Sequence, residues 1–132
     1  MDTMELNWKV WLTRGNQYLR AASPKSEKSR FNTDIRYNLL SMGMESYIMA
    51  ILDYHNTLPD NHTYTDLIMA LENVVPIKKT LKNRILKYEN IQSICSIEKY
   101  HRTSPSEADL TDLHGAIVQI AEIAVNICKN VA

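Results

Sequence analysis

The sequence has little glycine and little proline, with three and four residues of these types in a chain of 132. Sheet-rich folds need many turns, and turns consume these two residue types. Their scarcity argues against a sheet-rich fold and favours a few long helices joined by few connections. The length is that of a common single domain, so we expect one helical-bundle domain over residues 1–132.

Neither sign of charge is in excess, because 15 basic residues balance 15 acidic ones. This balance argues against overall attraction to nucleic acid or to a membrane, although it leaves room for a local patch. Long apolar runs are also missing: nothing approaches the roughly 18 uninterrupted apolar residues of a membrane span. The first residues, MDTME, lack the basic and apolar regions of a signal peptide, so we expect a cytoplasmic protein.

Cysteine and histidine are too few and too scattered to indicate a metal site. Cys95 and Cys128 fit no metal or redox spacing and fall on apolar helical positions, so we expect buried thiols in a reducing compartment. Di-iron helical bundles use paired Glu-x-x-His motifs, whereas this sequence has only one such tetrad, Glu98–His101. The sequence therefore predicts no metal and no cofactor.

What the sequence does contain is five apolar stripes with the three- and four-residue spacing of helices. The predicted helices span 7–22, 30–56, 64–75, 77–97 and 105–131, the third being short. Thr63 is the expected N-cap of the third helix, and Ser104 and Glu107 form an expected capping box before the last. Short connections favour antiparallel neighbours. The sequence predicts an all-α, antiparallel up-and-down bundle of four main helices plus one short helix.

The second predicted helix is apolar on more than one side. It is therefore either the central helix of the bundle or a helix with one face, at Met44, Tyr47 and Ile51, against another subunit. Gly15 and Gly43 lie inside predicted helices, where glycine costs about 1 kcal/mol relative to alanine. Close packing of two helices is the expected reason for both glycines.

The fourth predicted helix carries the one notable cluster of charge. Within ten residues it has no acid and five cations: Lys78, Lys79, Lys82, Arg84 and Lys87. Such a patch contacts phosphates when it is open to solvent, and nearby aromatic rings stack on bases. The full set of candidate ligand-binding residues adds Arg36, Arg102, Tyr88 and Tyr100. The alternative is a solvated helix face balanced by acids elsewhere in the chain. Acids of the last helix are candidate partners, within one molecule or between two, namely Glu107, Asp109, Asp112 and Glu122.

His114, which Gly115 follows, lies beside the apolar stripe of the last helix. A phosphotransfer helix usually places a lysine shortly after its histidine, whereas the next lysine here is Lys129. We therefore interpret His114 as a histidine at the edge of the core. No Ser/His/Asp or Cys/His set is indicated by local spacing, because the members of such sets come together only in the fold.

Three stretches together resemble the HEPN family, the higher-eukaryote and prokaryote nucleotide-binding helical domains. They are RYNLLSMGMESYIMA at 36–50, HTYTDL at 62–67 and YHRTSP at 100–105. The second stretch is similar to the short segment, beginning with histidine and ending with leucine, that leads into the third helix of the family. The third leads into the acidic start of a last helix rich in alanine and isoleucine. The resemblance implies a HEPN-like bundle that commonly dimerises.

Nuclease members of that family carry an Arg-x(4–6)-His motif, which this sequence lacks, since Arg102 stands twelve positions before His114. The resemblance therefore implies a non-catalytic domain that binds a nucleotide or RNA, or that pairs with a nucleotidyltransferase. Two alternatives stay open. One is a degenerate HEPN ribonuclease built from Arg102 and His114, and the other is a structural interaction subunit that acts through homodimerisation.

Overall fold

The structure is a computed structural model that describes residues 4–22, 33–89 and 105–129. Within these ranges the chain forms five α-helices and no strand, which confirms the predicted all-α class. The helices are α1 (Met4–Ala21), α2 (Thr33–Tyr54), α3 (Tyr64–Glu72), α4 (Lys79–Leu86) and α5 (Glu107–Lys129). None of these helices is long and apolar enough to cross a membrane. The predicted connection at 23–29 and the predicted helical residues 90–97 lie outside the described ranges.

α2 is the central helix of the bundle and packs against α1, α3 and α5. Residues 46–52 are all buried, and these two turns cover every side of the helix. Met44, Tyr47 and Ile51 are each at most 1 % exposed within a single chain. Their burial corrects the assignment of these three residues to a subunit interface, because contacts inside one chain bury them, whereas Ile35 and Met42, also on α2, are exposed.

α1 and α2 approach each other closely at two glycines. A Cβ atom at Gly15 would lie 2.9 Å from the ring of Tyr47, and one at Gly43 would lie 3.4 Å from the Cβ of Tyr18. Tyr47 is held in this position because its hydroxyl donates a hydrogen bond to Oδ1 of Asn16, 2.6 Å away. The expectation that both glycines serve close helix packing is thereby confirmed.

The remaining helices complete the core with the apolar stripes predicted for them. The residues they bury include Leu67, Ile68, Leu71, Leu81, Ile85, Leu110, Leu113, Ile117, Ile120 and Cys128. Each large apolar side chain contributes about 1.5–3 kcal/mol on burial. The Cys128 thiol is free and buried, as expected, and burial raises its pKa. Cys95 lies outside the described residues.

The start of α3 agrees with the predicted cap, whereas the start of α5 does not. The backbone N–H of Asp66 donates to the Thr63 hydroxyl at 3.1 Å. At α5 the reciprocal pair is Ser106 with Asp109: the Asp109 N–H donates to the Ser106 hydroxyl, and the Ser106 N–H donates to the Asp109 carboxylate. The helix therefore begins at Glu107, and the predicted capping box was wrong by two residues.

Candidate functional site

α4 is a short helix held to the bundle by one apolar face. Leu81 and Ile85, four residues apart, are buried on that face, so the cations of the helix lie at its edges and on its outer side. Lys78 is the N-cap residue, and its side chain makes no capping hydrogen bond. Whether this helix offers a binding surface depends on how many of its cations have partners within the chain.

Three of the five predicted cations have carboxylate partners on neighbouring helices. Lys82 donates to Glu72 of α3 at 3.1 Å. The Nη2 atom of Arg84 lies 3.0 Å from Oδ1 of Asp112 in α5, and Nζ of Lys87 lies 3.4 Å from Oδ2 of the same carboxylate. This part of the predicted patch therefore forms the balanced helix face that the sequence offered as the alternative.

Tyr88 belongs to the same network and is buried. Its hydroxyl donates to Oδ2 of Asp112 at 2.5 Å, and its carbonyl accepts a hydrogen bond from the Tyr37 hydroxyl at 2.7 Å. Burial, and then the hydrogen bond and negative charge of Asp112, raise the pKa of Tyr88. That hydrogen bond is also the main cause of the lowered pKa of Asp112. With 4 % of its surface exposed, Tyr88 offers no ring face to a base, which corrects its expected stacking role.

Lys78 and Lys79 differ from the other cations of α4. Both are exposed, and among the described residues neither has a carboxylate partner. They stand at the start of the helix, where backbone N–H groups lack intrahelical acceptors and the helix dipole is positive. The first turn contains no acidic residue. Cations are unfavourable in this position by about 0.3–1 kcal/mol each, so an anion bound here would be stabilised by both lysines and backbone.

Arg36 is not part of an exposed basic surface, which corrects its expected place in the patch. Only 6 % of it is exposed, and its Nη1 atom donates to Oε1 of Glu107 at 2.7 Å. Its Nε atom is buried and has no hydrogen-bond partner among the described residues. Burial, and then the positive charge of Arg36, lower the pKa of His114. Neither Arg102 nor Tyr100 is among the described residues.

A polar cavity of about 260 Å³ lies between α2 and α3, and sequence reasoning did not identify it. Its lining consists of Asn38, Ser41, Met42, Glu45, His62, Tyr64 and Leu67. The hydroxyl groups of Ser41 and Tyr64 are hydrogen-bonded to each other, and Nδ1 of His62 is bonded to the carboxylate of Glu45. The only sequence signal was the spacing of Asn38, Ser41 and Glu45, which share one face of α2.

No group of three or more His, Cys, Asp or Glu residues within the described ranges is placed to hold a metal ion. The Glu98–His101 tetrad lies outside those ranges. In comparisons with known proteins, no family model, no curated protein and no solved structure matches this chain. Among the described residues, the candidates for function are therefore the two exposed lysines, Arg36 with His114, and the polar cavity.

Proposed function

We propose that this chain is a non-enzymatic, HEPN-like binding module that contacts the phosphates of a nucleotide or RNA through Lys78 and Lys79. The observation that carries the proposal is the exposure of these two lysines at the start of α4, without carboxylate partners among the described residues. The described cations of the predicted site that are paired within the chain are Arg36, Lys82, Arg84 and Lys87, which narrows the site to Lys78 and Lys79. Lysine suits this role because it binds phosphate as a point charge and does not require the two parallel hydrogen bonds that arginine forms.

The helix start adds a second source of attraction to the same anion. The first backbone N–H groups of a helix point outward along its axis and bind phosphate oxygens in many proteins. The chain has zero formal net charge, so long-range attraction to a polyanion is weak. We therefore expect local contact with one or two phosphates, and an affinity that falls with added salt.

The non-enzymatic part of the proposal rests on the sequence, which lacks the Arg-x(4–6)-His motif. Pairing with a nucleotidyltransferase, and homodimerisation, follow from the same family resemblance. The phosphates of a nucleotide held by such a partner present the same chemistry to Lys78 and Lys79 as free nucleotide does. The lysines are thus compatible with direct nucleotide binding and with recognition of a nucleotide-loaded partner.

A fluorescence titration with labelled nucleotide and short single-stranded RNA, at low and moderate salt, tests the proposal. The Lys78→Glu/Lys79→Glu double variant should lose binding. A matched control reverses two exposed cations of α1, Lys9→Glu/Arg14→Glu, and should bind like the wild type. Loss of two phosphate contacts should reduce the salt slope by roughly 1.4 for a single strand. Equal behaviour of the two double variants, or no binding by the wild type, would contradict the proposal.

The Arg36–His114 pair favours a second candidate function, a degenerate HEPN ribonuclease. Because the pKa of His114 is lowered, its imidazole is largely neutral at pH 7 and can accept a proton, while Arg36 supplies a positive charge beside it. This arrangement would use Arg36 in place of Arg102. An RNA cleavage assay decides the matter, with His55→Gln as the control histidine variant. Cleavage that is absent, or unchanged by His114→Ala, rejects this function.

A further inference from the structure

The cavity between α2 and α3 is built by a local feature of each element. On α2, Asn38, Ser41 and Glu45 follow one another at helical spacing and present three polar side chains along one face. On the other side, His62 immediately precedes the cap of α3, and its imidazole is held by the Glu45 carboxylate. Tyr64, the first residue of α3, is the most buried of the residues with polar side chains that line the cavity.

Tyr64 is only 1 % exposed, and its hydroxyl is hydrogen-bonded to the Ser41 hydroxyl. Burial raises the pKa of Tyr64 well above its ordinary value, so its hydroxyl stays protonated. The Tyr64 hydroxyl is hydrogen-bonded to Tyr37 as well, and the Tyr37 hydroxyl itself donates to the Tyr88 carbonyl. The hydrogens of the Ser41 and Tyr64 hydroxyl groups are therefore both engaged within the chain, and their remaining oxygen lone pairs offer acceptors to a ligand at the end of the cavity.

The rim of the cavity offers further groups of mixed character. The Asn38 amide is both donor and acceptor, and it is exposed on α2. Since Nδ1 of His62 is engaged by Glu45, Nε2 is the ring nitrogen that remains for a ligand. The His62 side chain is 56 % exposed, so a molecule entering from solvent reaches it directly. Met42 and Leu67 supply apolar surface between these polar groups.

The charge of the lining restricts the kind of ligand. The described lining residues include no lysine and no arginine, and Glu45 is the one acidic side chain among them. A phosphate or a carboxylate would therefore meet a negative charge and no permanent positive one. Groups that both donate and accept hydrogen bonds, set around apolar carbon surface, instead complement hydroxyl groups on a carbon skeleton.

We propose that this cavity binds a small, neutral molecule that carries several hydroxyl groups, either an acyclic polyol or a monosaccharide. Hydroxyls of the ligand meet Ser41, Tyr64 and Nε2 of His62, and its carbon face lies on Met42. A volume of about 260 Å³ is below the usual range of drug-sized sites, which limits the occupant to one such unit. The proposal does not depend on the proposed function, because no residue of α4 lines the cavity.

The experiment is a titration of the isotope-labelled protein, followed by ¹H–¹⁵N NMR, with sorbitol and D-glucose as neutral probes. These two probes distinguish an acyclic polyol from a cyclic sugar. Gluconate is the charged probe matched to sorbitol, since it keeps the open chain and its hydroxyl groups and carries a carboxylate in place of one terminal CH₂OH group. We expect a neutral probe to shift the backbone signals of Ser41, Glu45 and His62 first. Gluconate should bind at least tenfold more weakly than the better neutral probe.

Variants test the individual contacts. His62→Gln and Ser41→Ala should each weaken binding about tenfold, the effect of losing one hydrogen bond to a ligand. His55→Gln is the matched control, because His55 is exposed directly after the end of α2 and its Nδ1 is bonded to the Ile51 carbonyl, and because His55 does not line the cavity. If Ser41→Ala does not fold, Asn38→Ala at the exposed rim replaces it.

Three results would overturn the proposal. The first is that neither neutral probe shifts the cavity signals up to its solubility limit. The second is that gluconate binds as tightly as the better neutral probe. The third is that His62→Gln and the Ser41 or Asn38 variant bind like His55→Gln.

Discussion

Arg84 on α4 is joined twice to Asp112 on α5: its Nε donates to Oδ1 at 3.1 Å, and its Nη2 donates to the Asp112 carbonyl at 2.9 Å. Because the second bond reaches the backbone of α5, the contact fixes the position of α4 as well as neutralising a charge. The Tyr88 hydroxyl donates a hydrogen bond to the same carboxylate, and Lys87 forms an ion pair with it; both residues directly follow α4. Asp112 thus joins Arg84, Lys87 and Tyr88 to α5.

Replacing Asp112 by alanine should destabilise the protein by about 2–3 kcal/mol, because the Tyr88 hydroxyl would lose its partner while buried. Asp112→Asn keeps an acceptor of nearly the same shape and should lose about half as much. Urea denaturation at pH 7 measures both values. A difference of less than about 0.5 kcal/mol between wild type and Asp112→Ala would show that α4 is held chiefly by Leu81 and Ile85.

Acid should remove the contribution of the Asp112 charge. The folded state lowers the pKa of this carboxyl, chiefly through the Tyr88 hydrogen bond, so its stabilisation is present above the unfolded pKa and is lost as pH falls through the folded pKa. The unfolded pKa is about 3.9. The stability difference between wild type and Asp112→Asn should therefore be constant near neutrality and shrink below about pH 4. Asp60→Asn, in the exposed connection after α2, is the control and should show no such trend.

His114 should make the protein less stable as pH falls from about 7 to 5. Burial lowers its pKa in the folded state, and Arg36 adds to the shift, so protonation favours the unfolded chain. Stability from this group is present above the unfolded pKa of about 6.5 and is lost as pH falls through the folded pKa. His114→Gln should flatten this dependence, and His55→Gln should not. Titration of the His114 ring protons by NMR gives the pKa directly, and a value above 6.5 would contradict the expectation.

Gly15 and Gly43, the glycines at the contact between α1 and α2, should respond differently to alanine. At Gly15 the added Cβ meets the Tyr47 ring at 2.9 Å, and Tyr47 is buried and hydrogen-bonded, so the overpacking penalty of about 1–3 kcal/mol should exceed the gain in helix propensity of about 1 kcal/mol. At Gly43 the nearest atom is 3.4 Å away, and the substitution should be neutral or stabilising by up to about 1 kcal/mol. Thermal unfolding of both variants measures the contrast. Equal effects at the two positions would contradict it.

The sequence predicts most of the helices because their signals are local. Apolar spacing places the buried faces of α1, α2 and α5, and the Thr63 cap is set by residues three apart. The errors have local causes as well. Ser104–Glu107 and Ser106–Asp109 are overlapping capping signals, and only the second pair forms the cap in the structure. α3 ends at Glu72, before Val74 and Val75, although these valines continue its apolar pattern into the residues that precede Pro76.

The candidate sites were harder to predict because their members come from different helices. A run of lysines and arginines predicts a cationic surface, but Glu72 and Asp112 neutralise part of it only after α3 and α5 pack beside α4. Arg36 is far from His114 in sequence, and its charge acts on the pKa of His114 only in the fold. The polar cavity likewise needs α2 and α3 in contact before its lining exists. Spacing within one helix carries no information about such pairings.

The buried thiol of Cys128 offers a way to observe how often the end of α5 detaches from the bundle. With 2 % of the residue exposed and its pKa raised by burial, the sulfur is shielded from alkylating reagents and is mostly protonated at neutral pH. Its rate of modification in the folded protein therefore reports transient separation of this helix end. Mass spectrometry of the peptide that contains Cys128 measures this rate. The native thiol thus reports local opening of the helix end without any introduced label.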